Sequence, residues 1–219
     1  LYFYKLKQGD YLFSIILAAG WPIWPLIAAS ILALAIVIER YFSLTDAKIA
    51  PAGLTKAVID NLQEGIPPPD AIAQLERNSL LGQVLASGLY ARAQDALATE
   101  ADIRAALHQA GRLAAQTLDM RLTALATIAS AAPLMGLLGT VVGLIEIFGA
   151  QSPGSVGGNP AQLAQGISIA LYNTAFGLIV AIPALVFWRY FRARADAYLM
   201  QLESGADHLL RRLRAMDTP

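Results

Sequence analysis

One carboxylate and four uncharged polar side chains stand where a polar group is least expected. Glu146 is the only acidic or basic residue between Leu122 and Trp188. A carboxylate within so apolar a stretch is costly unless it reaches water or a partner, and such residues commonly mark ion paths. Glu146 lies three residues before Gly149. It therefore reads either as an interfacial carboxylate in the outer water or as an ion-entry or partner-contact site. Thr140, Ser168, Asn173 and Thr174 lie deeper. They suit helix–helix hydrogen bonding and back-bonding of a hydroxyl to its own helix. They equally suit the lining of a wet path for a proton. None of them titrates near neutral pH, so a chain that conducts ions this way needs a partner to bring the mid-membrane acid.

Other chemistry is excluded by what the chain lacks. It contains no cysteine, and its two histidines, His108 and His208, stand 100 positions apart. Disulfide frameworks, thiolate zinc sites and histidine-based metal motifs are thereby removed. There is no Gly-Lys-Ser/Thr phosphate loop, no Gly-x-Ser-x-Gly elbow and no His-Glu-x-x-His. No enzymatic activity, cofactor or metal is expected. With 16 basic against 16 acidic side chains the chain carries no basic excess, so no nucleic-acid partner is expected either.

The elements that must position these residues follow from the missing charges. Hydrophobic residues make up 56% of the chain and charged ones 15%, against about 25% charged in an ordinary soluble domain. Tyr11 to Ile38 holds no acidic or basic residue. Runs of 18 or more such residues are transmembrane-helix candidates. The second run, 122–188, is too long for one span and is broken by a Gly/Pro/Ser-rich stretch at 149–160. The expected organisation is an outer-side interfacial segment at 1–15 and transmembrane helices at 16–39, 122–149 and 161–188. A helical region at 40–121, a loop at 150–160 and a helical tail at 189–219 complete it. The first apolar run is longer than that of a signal peptide and ends without a cleavage-like site, so it is expected to be retained. The fold class is all-α, an integral membrane protein of three transmembrane helices with long helical cytoplasmic extensions.

Orientation follows from lysine and arginine. Segments 39–121 and 189–219 hold 14 of the 16 basic residues; Lys5 and Lys7 are the exceptions. Both segments are expected in the cytoplasm, with the N-terminus and the 150–160 loop outside, which is the periplasm under the family resemblance given below. Asp70 is expected to cap a helix starting at Ala71, and Thr99-Glu100-Ala101-Asp102 resembles a capping box. Ile103, Leu107, Ala110, Leu113/Ala114, Leu118 and Leu122 recur at helical spacing with no breaker before the second span. One helix from about 100 to 148 is expected. Leu199, Leu202, Ala206, Leu209 and Leu213 form a similar stripe in the tail, and other subunits are expected to cover both stripes. Gly136, Gly139, Gly143 and Gly177 are small residues on which helices could approach closely, which favours oligomers. Pro133 and Pro183 are candidate kinks.

Three segments together resemble the MotA/TolQ/ExbB proton-channel family. They are Ala132-Pro-Leu-Met-Gly-Leu-Leu-Gly-Thr-Val-Val-Gly-Leu144, the run from Ile167 to Ala184 containing Asn173-Thr174-Ala-Phe-Gly177, and Ala35-Ile-Val-Ile-Glu-Arg-Tyr-Phe42. The resemblance covers almost the whole chain. It implies a homo-oligomer, a pentamer, in the bacterial inner membrane lipid bilayer. It also implies a single-span ExbD-like partner whose membrane aspartate carries the proton. Thr140 and Thr174 match the family's pore-facing threonines. Three spans point away from the flagellar branch. The ExbB-like branch, which acts with a TonB-like protein on outer-membrane uptake, is preferred to the TolQ-like branch serving envelope integrity. A non-conducting membrane scaffold is the reading from a different class. One position departs from the pattern: Ile169 stands where the family commonly has a glutamate.

Overall fold

A computed structural model describes residues 20–63, 65–94, 98–149 and 160–217. The expected interfacial segment at 1–15, the start of the first span, Lys5, Lys7 and the loop from 150 to 159 lie outside the described residues. Seven helices form the described chain: α1 (Ile23–Ser43), α2 (Asp46–Ile49), α3 (Leu54–Asn61), α4 (Pro69–Asn78), α5 (Leu80–Gln94), α6 (Glu100–Gly149) and α7 (Pro160–Asp217). No strand occurs among the described residues. Three helices, α1, α6 and α7, contain stretches long and apolar enough to cross a membrane. The protein is an all-α membrane protein with three spanning helices, two of which extend well beyond their apolar parts.

The chain divides into two compact units. The apolar unit comprises 1–37 and 123–188. Its interior is built largely from small residues. Leu26 of α1 meets Ala132 of α6 and Ala181 of α7, with Met135, Phe176 and Val180 packed around them. Leu137, Val141, Ile145, Leu178, Ile179 and Ile182 are exposed. A soluble domain would bury these large residues. A membrane helix needs small residues at its contacts, because lipid already satisfies the large ones.

The charged unit comprises 38–122 and 189–219 and packs as a soluble domain does. Leu85 and Leu89 of α5, Ile103, Leu107 and Leu118 of α6, and Leu202, Leu209 and Leu213 of α7 are at most 5% exposed. Here the expectation that other subunits cover the α6 and α7 stripes is corrected. The chain's own short helices, α5 above all, supply apolar faces to these stripes. Helices of eight to fifteen residues in 54–94 have too little sequence periodicity to announce that role. Leu113 of the α6 stripe, by contrast, stays exposed.

Helix starts show both a confirmed and a corrected expectation. At α6 the Thr99 amide donates to the Asp102 carboxylate at 3.0 Å, and the Asp102 amide donates back to Thr99 Oγ1 at 3.3 Å. That is a capping box with aspartate in the third position. At α4, Asp70 is not the cap. The helix begins two residues earlier than expected, at Pro69, with Pro68 as N-cap. Proline's fixed φ and missing N–H suit the first helical position, so it displaces the boundary, and Asp70 lies in the first turn facing the helix dipole.

The capping box carries a pH dependence. The Thr99 hydroxyl bond, then the Thr99 amide bond, hold the exposed Asp102 carboxyl below the ordinary aspartate value. Its stabilisation is therefore fully present above the unfolded value of about 3.9 and is lost as pH falls through the lower folded value. Amide exchange at Asp102 and Ile103 is expected to lose protection below that pH in the wild type. In Asp102→Asn the protection is expected to be lower at neutral pH and flat across the same range.

Candidate functional site: a hydroxyl pair between two membrane helices

In the apolar unit the contact of α6 with α7 is made possible by glycine. A Cβ placed on Gly177 would lie 2.7 Å from the Ala132 carbonyl oxygen and 3.0 Å from the Gly136 Cα. A Cβ on Gly136 would lie 2.8 Å from the Asn173 carbonyl oxygen and 3.1 Å from the Thr174 Cα. One on Gly139 would strike the Asn173 side chain at 2.7 Å, and one on Gly143 would meet the Ala170 Cβ at 3.2 Å. On α6 the positions 136, 139/140 and 143 share a face, as do 170, 173/174 and 177 on α7. The two faces meet backbone against side chain over two helical turns.

That approach brings Thr140 and Thr174 together. Their Oγ1 atoms are 3.5 Å apart. The Thr140 hydroxyl donates to the Leu137 carbonyl of its own helix. The Thr174 hydroxyl donates across the interface to the Gly136 carbonyl at 3.3 Å. The close approach behind this bond needs residue 136 to lack a side chain, since a Cβ there would crowd the Thr174 Cα. A hydroxyl has one proton and two acceptor lone pairs. Thr174 thus has two acceptors within reach for its one proton, the Gly136 carbonyl and Thr140 Oγ1. Such an arrangement can accept a proton from one side and hand one to the other.

The remaining expected residues are placed differently. Asn173 is 1% exposed and packs against Gly139. Together with Glu146 it lines a 260 Å³ cavity bounded by α6, α7 and the residues Gly20 and Pro22 before α1. Glu146 itself is exposed. Ser168 is exposed too, and its hydroxyl donates to the Ala164 carbonyl of its own helix at 2.9 Å. It does not join the hydroxyl pair. Pro133 and Pro183 both sit inside unbroken helices. Each removes one amide donor, freeing the carbonyls of Ala129 and Ile179 from the usual intrahelical bond.

In the charged unit, a set of ion pairs escaped the sequence reading. Arg121 pairs with Glu39, and Arg192 pairs with Asp119 at 2.7 Å and with Asp196 at 3.2 Å. Arg40 is 5% exposed, and its guanidinium donates to the Thr117 carbonyl at 3.4 Å. Tyr198 donates to Asp46 and accepts from Arg194. Arg192–Asp196 and Arg194–Tyr198 are pairs four residues apart on one helix, but the other partners are 73 to 152 residues apart in sequence, so no local spacing announces those. The only signal was Glu39-Arg40 at the end of an apolar run.

Comparison with known proteins bears on this geometry. Residues 76–204, which include α6 and most of α7, match the MotA/TolQ/ExbB proton channel family. The chain is 34% identical over 180 residues to ExbB-like 3 of Synechocystis, covering 81% of this chain and 83% of that protein. It is 42% identical over 79 residues to the biopolymer transport protein exbB1 of Vibrio cholerae, 35% of this chain and 34% of the other. Against the Tol-Pal system protein TolQ of Haemophilus influenzae it is 40% identical over 82 residues, 37% of this chain and 36% of the other. With three spanning helices, a glycine-mediated α6–α7 contact and relatives matched along most of its length, the chain belongs to the MotA/TolQ/ExbB proton channel family.

Proposed function

We propose that this protein is the ExbB-like proton-channel subunit of an inner-membrane motor. With an ExbD-like single-span partner it uses the proton motive force to energise TonB-dependent outer-membrane transport. The observation that carries this reading is the Thr140–Thr174 hydroxyl pair, half-buried between helices that offer no acidic or basic side chain at that depth. Threonine hydroxyls relay a proton but do not hold one as charge, so the titrating acid comes from a second chain. The family match supports lateral assembly, for which a homopentamer is the proposed form. Fourteen of sixteen basic residues in 39–121 and 189–219 support a cytoplasmic C-terminus and a periplasmic N-terminus.

The TolQ-like alternative is favoured by one finding, the nearly equal identity to TolQ and to exbB1 over segments of similar length. Uptake of a ferric siderophore by a strain lacking this gene separates the two. Uptake is expected to fall in the deletion strain and to return with the wild-type gene. Unchanged uptake together with detergent sensitivity and chained cells would replace this assignment with the TolQ-like one.

A further inference from the structure

We propose that Glu146 is the proton-collecting carboxylate of this chain, feeding the Thr140–Thr174 pair through the cavity it shares with Asn173. The inference rests on the channel reading and adds to it the group that takes the proton from water. Three observations carry it. Glu146 is the one acidic or basic residue between 122 and 188. It lines the 260 Å³ cavity whose wall also includes Gly139, Gly143, Ala170 and the buried Asn173. It also sits in the last turn of the α6 helix, where the dipole disfavours an acid, so helix stability does not explain its presence.

The spacing gives direction. Positions 139, 143 and 146 recur at intervals of four and three and share one helical face. Gly139 and Gly143 on that face contact Asn173 and Ala170 of α7. Glu146 therefore stands over the same α6–α7 seam as the hydroxyl pair. Thr140 is six residues away along the helix, about 9 Å at 1.5 Å per residue. The cavity has room for several waters and extends from Glu146 to Gly139 and Asn173, the chain neighbours of Thr140 and Thr174. Glu146 lies at the end of the span away from the arginine-rich segments. Its carboxylate takes a proton from bulk water there, becomes the neutral acid, and releases the proton to a water of the cavity. The carboxylate is regenerated and nothing else is consumed. Among the described residues that line the cavity, from Gly20 and Pro22 through α6 to α7, Glu146 is the one acidic or basic side chain.

The test uses the chain co-purified with the partner it holds in its own cells, reconstituted in liposomes with a pH-sensitive dye inside. Glu146→Gln is expected to lower proton flux about tenfold. It is also expected to flatten the dependence of flux on the pH at the Glu146 side. Glu146→Asp is expected to keep the wild-type pH profile. Should Glu146→Gln not assemble, Glu146→Cys provides a second route, because the chain has no other cysteine. Iodoacetate, which restores a carboxylate after assembly, is expected to raise flux, and iodoacetamide is not. Wild-type flux and pH profile in Glu146→Gln, with Thr174→Val still blocked, would overturn the role of Glu146 and leave the channel intact. Absence of flux in the wild-type complex would instead remove the channel reading itself, and this inference with it.

Discussion

Thr174→Val is expected to lower proton flux through the assembled complex by about 100-fold, the scale of losing a positioned proton-transfer group. Valine keeps the shape of threonine and removes only the hydroxyl. Two contacts disappear, the bond to the Gly136 carbonyl at 3.3 Å and the approach to Thr140 Oγ1 at 3.5 Å. Interhelical hydrogen bonds in membranes contribute modestly, so stability should change by no more than about 1 kcal/mol. Assembly should therefore survive while conduction fails. Thr174→Ser, which restores the hydroxyl without the methyl, is expected to recover most of the flux. Dye-monitored proton entry into liposomes, with assembly checked by size-exclusion chromatography, measures both. A non-conducting scaffold makes the opposite prediction: Thr174→Val would support growth on ferric siderophores as well as wild type. Thr140→Val is expected to be milder, because the Thr140 hydroxyl is already engaged by the Leu137 carbonyl of its own helix.

The second large effect concerns the glycines. Gly177→Ala is expected to destabilise the protein by about 1–3 kcal/mol, the usual penalty for overpacking a close contact. The new Cβ would lie 2.7 Å from one backbone atom and 3.0 Å from another, so no side-chain rotation can relieve it. The helices must separate, and separation draws Thr174 away from the Gly136 carbonyl. Gly111→Ala is the matched control. It lies inside the other long helix, α6, and nothing stands within 4 Å of its Cβ position. There alanine is expected to stabilise by about 0.4–1 kcal/mol, chiefly by restricting the unfolded chain. The chemical change is identical in both variants, so the opposite signs isolate the packing. Thermal unfolding in mild detergent should show Tm moving down for Gly177→Ala and up for Gly111→Ala, by about 2–4 °C per kcal/mol. A shared direction of shift would mean that α6 and α7 do not cross at Gly136 and Gly177.

Much of the architecture was legible because membranes impose a one-dimensional code. The charge-free runs marked three spans, since an apolar stretch of sufficient length needs no tertiary information to be recognised. The unbroken α6 was likewise readable from Thr99-Glu100-Ala101-Asp102 and the stripe beginning at Ile103, because capping and periodicity are local. The start of α4 was misread at Asp70 because two local signals competed, and proline prevailed over aspartate. The α6 and α7 stripes showed that something must cover them, but not what. Their cover depends on which surfaces meet in space, and α5 proved to contribute to it.

The site divides in the same way. The sequence alone determined the residue types available: hydroxyls at 140 and 174, small residues at 136, 139, 143 and 177, and one carboxylate at 146. These depend on composition and spacing along single helices. Only the tertiary structure decided which of them act together. It paired Thr174 with Gly136 and Thr140, left Ser168 bonded to its own helix, and placed Glu146 and Asn173 on one cavity. The reason is physical: helical periodicity specifies the face a residue occupies, whereas the height and rotation at which two faces meet are settled by packing. Here they are settled where Gly136 and Gly177 let one backbone rest against another.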